Sequence, residues 1–242
     1  MNTTMQRCQL THTEVACPIP MTEDRLMECF HHAELLECEY HNPRTFRFSL
    51  NALLASLSSV SAIAQKEIEK NGDVARWNIV RESFKNDRWL GAAKNARNVT
   101  LHQKTIFDGS KVYMGLYRGR RLKLAINKDI PGDIHSAEIL KLWNESELGR
   151  MFLDPGHIAI GEQYGVWRKY QIKEVSSDED VLTAMRRALI RAHDLVVAAH
   201  DIYGVQLEHI SDDCLNPTDL AEVSVLLESD IDPTLPKKWG WE

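Results

Sequence analysis

The stretch NPRTFRFSLNALLASLSSVSAIAQKEIEKNG, residues 42–72, carries the most regular hydrophobic pattern in the chain. Phe46, Leu50, Leu53, Leu54, Leu57, Val60, Ile63, Ala64 and Ile68 recur three or four positions apart. That spacing puts them on one stripe of an α-helix of about six turns. Asn42 offers a side-chain oxygen to the orphan amides of the first turn, Pro43 suits the first helical position, and "KNG" with Gly72 ends the run. A helix of this kind is stable only where the stripe is covered by neighbours, so the reading is a mainly α protein.

Working outward, residues 1–21 are polar, contain "CPIP" and read as an irregular arm. Thr22 is the expected N-cap of a helix to about Tyr40, with Leu26, Met27, Phe30, Leu35 and Leu36 inward. Asp73 is placed to cap a third helix to about Phe84, carrying Trp77 and Val80 on one face. A fourth runs from about Arg88 to Lys104 and is rich in small residues (Gly91, Ala92, Ala93, Ala96), which allow close helix approach. Short connections between four helices predict an antiparallel bundle over residues 22–106.

Beyond it, residues 107–242 predict a small α+β extension. "VYMGLYRGRRLKLAI", residues 112–126, alternates around a glycine turn and reads as a β-hairpin. "AEILKLWNESELGRMF" reads as helical and "YGVWRKYQI" as a strand. Residues 177–202 predict a long amphipathic helix, capped at Ser176 or Ser177, with Ser176 and Glu179 spelling a capping box. The acidic end, with its Pro and Trp residues, reads as an extended tail.

Composition narrows the class. Hydrophobic residues are 43% and charged residues 26% of 242, the balance of a globular domain. No apolar run approaches the roughly 18 residues of a membrane span, so no membrane role is expected. The first residues lack an apolar signal segment, which predicts a cytoplasmic protein. Five Cys without CxxC spacing fit reduced, structural thiols. His31, His32 and His41 have no carboxylate or Cys spacing that completes a metal site, and His193 and His200 stand seven apart, beyond the roughly three to five of paired zinc histidines, so neither metal nor cofactor is expected. No Gly-rich phosphate loop and no nucleophile elbow is present.

The charge is unevenly spread. From Arg88 to Lys128 ten basic residues face one acid, Asp108, a net +9 that leaves −15 for the rest of a chain totalling −6. Asymmetry of this kind points to an anionic partner. Within that segment, on the fourth helix, Arg97-Asn98-x-x-x-His102 brings together a phosphate clamp and a side chain that titrates near neutrality. Asn98 and His102 share a helix face. Arg97 and His102, five apart, diverge by roughly 140° on an ideal helix, so two copies of the helix would serve one phosphate better than one. Arg followed by His at similar spacing also occurs at Arg7, Arg25, Arg150 and Arg187. The adjacent Asn98 and the basic surroundings single out Arg97.

A late bundle helix with this motif resembles the HEPN family (higher eukaryotes and prokaryotes nucleotide-binding), over roughly residues 22–106. The resemblance implies a HEPN-like bundle and a metal-independent endoribonuclease, of toxin or defence type, with its site shared across a homodimer. In it His102 would be the general acid or base, Arg97 the phosphate clamp, and Asn98 would orient His102 or bind phosphate. RNA would run along Lys94, Lys104 and the hairpin residues Arg118, Arg120, Arg121 and Lys123. An antitoxin or regulatory protein would be a further partner. The alternative is a non-catalytic module of the same kind that binds a nucleotide, a nucleic acid or a protein. A third reading is a plain interaction protein that docks through the helix at 177–202.

Overall fold

The computed structural model describes residues 17–102, 109–152, 159–173, 175, 179–209 and 217–241. In chain order these form α1 (Pro20–Cys38), α2 (Pro43–Lys70), α3 (Val74–Phe84), α4 (Arg88–His102), β1 (Gly109–Arg118), β2 (Arg121–Ile130), α5 (Ser136–Glu145), α6 (Glu147–Phe152), β3 (Glu162–Gln171), α7 (Val181–Asp201), α8 (Pro217–Ser224), β4 (Val225–Leu227), α9 (Glu228–Ile231) and α10 (Leu235–Lys238). The protein is mainly helical, with one four-stranded antiparallel sheet in the order β2-β1-β3-β4 toward its C-terminal side.

α2 forms as its periodicity predicts. Asn42 Oδ1 accepts from the Arg44 and Thr45 amides, and Phe46, Leu50, Leu53, Leu54, Leu57, Val60, Ala64 and Ile68 are buried. Among the described residues α2 is the one helix long and apolar enough to cross a bilayer, contrary to the expectation that no segment would be. Its stripe is instead covered by α1, α4 and α7.

α1 begins two residues before the expected cap. Thr22 is buried within its first turn, and the orphan amides there are met from outside. Glu67, on α2, accepts from the Met21 amide at 2.9 Å, the Thr22 amide at 2.7 Å and the Thr22 hydroxyl at 2.7 Å. α7 starts four residues later than expected, because Asp180 caps it by accepting from the Leu182 amide at 2.8 Å. The expected Ser176–Glu179 box falls partly outside the described residues.

α7 closes the helical layer. Leu182, Met185, Leu189, Ala192, Leu195, Val196 and Ala199 share one core with residues of α1, α2 and α4, so that core draws on both sides of the expected boundary at residue 107. Arg186 of α7 meets Glu37 of α1 in a buried ion pair at 2.7 Å. Tyr170 of β3 stacks on Phe46 of α2 with ring centroids 4.4 Å apart, which joins the sheet to the bundle.

In the sheet, β1 and β2 form the expected hairpin, turning at Gly119 with φ +55°. One face packs Val112 and Val166 on Ile139, Leu140 and Trp143. The C-terminal segment is not the extended tail that its composition suggests. It forms α8, α9, α10 and β4, and β4 adds a fourth strand beside β3.

Candidate functional site

The Arg97 motif lies on the last two turns of α4. Ala93 and Ala96 are buried where α4 packs on α2 and α7, so these small residues serve packing within the chain. Arg97 is half-buried. Its Nη1 donates to Asn98 Oδ1 at 3.4 Å, and its buried Nε has no hydrogen-bond partner. Asn98 is exposed. His102 ends α4, and its side chain lies outside the described ones. No contact among the described residues brings a second titratable group to Arg97.

The expected RNA contacts separate into three groups. Lys94, Arg121 and Lys123 are exposed. Arg118 is paired with Glu162 at 2.8 Å. Arg120 is committed to the C-terminal segment: it donates to the Val225 carbonyl at 2.5 Å and to both carboxylate oxygens of Asp230, and pairs with Glu222 at 3.3 Å. Arg120 thus ties α8, β4 and α9 together. Lys104 lies outside the described residues.

The sheet brings together residues that the sequence leaves 54 positions apart. β1 and β3 place Tyr113 opposite Trp167, and their rings stack with centroids 4.9 Å apart. Lys111 lies over the Tyr113 ring at 6.0 Å and Lys169 over the Trp167 ring at 4.7 Å. These four half-buried side chains share the face opposite α5, in the register Tyr113↔Trp167 and Lys111↔Lys169. Exposed Asn127 on β2 adjoins Tyr113 on the same face. Toward β4 the face is closed by Tyr117 and Leu227, which pack over Gly165 so closely that a Cβ there would come within 2.8 Å of both.

A cavity of about 370 Å³ continues from this face, between the sheet, the start of α7 and α8. Its walls are mostly apolar (Tyr117, Trp167, Leu182, Leu220), and its polar points are Arg120, Lys169, Glu179, Asp180, Thr183 and Ser224. Asp180 is the most perturbed carboxyl there. Burial pushes it up to about 6, against the opposing pull of hydrogen bonds from Tyr40 and from the Leu182 and Tyr170 amides. Tyr40 donates to Asp180 at 2.6 Å and lies 2.9 Å from the Arg168 carbonyl. Composition could not find this site. Trp167 and Lys169 sit in a strand with no motif, and only the β1–β3 register pairs them with Tyr113 and Lys111.

No curated protein and no solved structure matches the chain. Residues 11–107 match the model of a family described as bacteriophage lambda protein ea47. This overturns the HEPN-like resemblance, which covered the same helices and rested on a short spacing of Arg and His that the chain repeats elsewhere. The region of the match ends just after α4, and the chain is thereby similar, over those residues, to bacteriophage lambda protein ea47.

Proposed function

We propose that the protein is a single-stranded nucleic-acid-binding module, and that the Tyr113–Trp167 face of the sheet is its contact. The observation that carries this reading is the stacked aromatic pair flanked by two lysines on one sheet face. Bases stack on aromatic rings whatever their sequence, and lysines at the rim neutralise backbone phosphates. Arg121 and Lys123, exposed on the edge strand β2, extend the positive surface beside that face. The +9 segment, which contains β1 and all of β2 but its last two residues, supplies most of these charges. RNA is the substrate first expected, because unstacked bases in single strands are what such sheet faces accept.

The test is fluorescence anisotropy with labelled single-stranded RNA, single-stranded DNA and duplex DNA over a salt series. Tyr113→Ala and Trp167→Ala are each expected to weaken single-strand binding by about 1–3 kcal/mol, the worth of one stacked base. Lys111→Ala with Lys169→Ala is expected to lower the salt slope by roughly 0.7 for each charge. Full-affinity binding by folded Tyr113→Ala/Trp167→Ala protein would remove the sheet face from the reading. The same mixtures, run on a gel in EDTA, report whether RNA is cut and whether Arg97→Ala stops it.

A further inference from the structure

We propose that Cys17, Glu23 and His200 form a binding site for a divalent transition metal of the zinc class, which clamps the start of α1 to the end of α7. This goes beyond the nucleic-acid reading and shares no residue with it.

One ligand atom from each of the three residues lies within 4.8 Å of both others. Cys17 Sγ is 3.3 Å from His200 Nε2. Tetrahedral zinc with Zn–S of about 2.3 Å and Zn–N of about 2.0–2.1 Å holds its sulfur and nitrogen about 3.5 Å apart, so these two ligands already stand at nearly the right separation. Their orientation is set as well. His200 Nδ1 lies 2.9 Å from the Val196 carbonyl one turn earlier. A carbonyl only accepts, so Nδ1 carries the proton and Nε2 turns its lone pair to Cys17. That is the arrangement in which a backbone carbonyl holds a metal-binding imidazole in the correct tautomer.

The surroundings suit a cation that keeps one open position. His200 is fully buried, whereas Cys17 and Glu23 are half-buried, so the outer side admits a water as fourth ligand. Thiolate and imidazole select zinc-like ions over magnesium or calcium. Without a cation, burial and the neighbouring Glu23 push the Cys17 thiol up to about 12. A dication at the cluster reverses that balance: Cys17 gives up its proton to solvent as the Sγ–metal bond forms. The sequence hides the site because 183 residues separate Cys17 from His200.

The experiment titrates the reduced full-length chain with Co²⁺ and follows absorption. One equivalent of Co²⁺ is expected to give a thiolate-to-cobalt charge-transfer band together with the intense visible bands of tetrahedral cobalt. Zn²⁺ should displace both and raise the thermal midpoint. Cys17→Ser should lose the charge-transfer band while its far-ultraviolet circular dichroism is kept. Glu23→Gln should weaken cobalt binding by roughly tenfold or more, on the scale of losing a metal-site partner. Cys29→Ser and Cys38→Ser should leave it unchanged. Absence of the band in folded wild type, or its persistence in Cys17→Ser, overturns the proposal.

Discussion

Asp180 joins the cap of α7, the Tyr40 hydroxyl and the backbone of β3, and its protonation state is coupled to the fold. Tyr40 has one proton for two acceptors, the Arg168 carbonyl and Asp180. A protonated Asp180 donates to the Tyr40 oxygen and frees the Tyr40 proton for the carbonyl, which satisfies both contacts. Burial lifts the carboxyl from 3.8 to about 6, so folding takes up a proton in that interval. The stabilisation is then fully present below about pH 4 and is lost as pH rises through about 6. Asp180→Asn cannot titrate. Relative to that variant, the wild type should lose about 2 kcal/mol between pH 4 and pH 6.5, read from urea unfolding at each pH. A difference that grows with rising pH would reverse the assignment. His41 and His193, each lowered to about 4 chiefly by burial, take up protons on unfolding in this window and so add stability as pH rises, but they do so alike in the wild type and in Asp180→Asn and cancel in the difference.

At the scale of the element, α4 separates packing from recognition. Its small residues suggest a surface for a second copy of the chain, yet Ala96 is fully buried where α4 meets α2 and α7. Ala96→Leu should therefore lower stability by about 1–3 kcal/mol through overpacking. Sedimentation should show the same oligomeric state as the wild type. A changed assembly with unchanged stability would return the small-residue face to an intermolecular role. The elements themselves were largely legible. α2 announced itself through Leu50, Leu53, Leu54 and Leu57, and the hairpin through alternation about Gly119. The ends were less so: Glu67 of α2 serves the start of α1, which no local spelling predicts, and α7 starts at the cap of Asp180 and not at Ser176 or Ser177. β4 was hidden because three residues, Val225–Leu227, carry too little pattern to be told from tail. The candidate sites were the least legible part. Tyr113 with Trp167, and Cys17 with His200, meet only through pairing and packing over long separations, whereas Arg97, Asn98 and His102 stand close in sequence and are visible as a motif.

Across the whole molecule, the question is whether the first four helices can stand without α7. The region matching the ea47 family model ends at residue 107, and the helical domain read from the sequence ends at residue 106. The core does not end there. α7 buries Leu182, Met185, Leu189, Leu195 and Val196 among side chains of α1, α2 and α4, and its Arg186 is the buried partner of Glu37. Removing α7 uncovers an apolar face on each of those helices. It also leaves Glu37 without Arg186, a loss that in buried pairs costs about 3–5 kcal/mol, comparable to the whole stability of a small domain. A fragment of residues 1–107 should therefore show helical circular dichroism without a cooperative thermal transition, and should bind a hydrophobic dye that the full chain excludes. Supplying residues 175–209 as a separate chain should restore cooperativity by re-covering the face. A fragment that melts sharply on its own would instead make the first four helices an autonomous unit, with α7 and the sheet docked upon it.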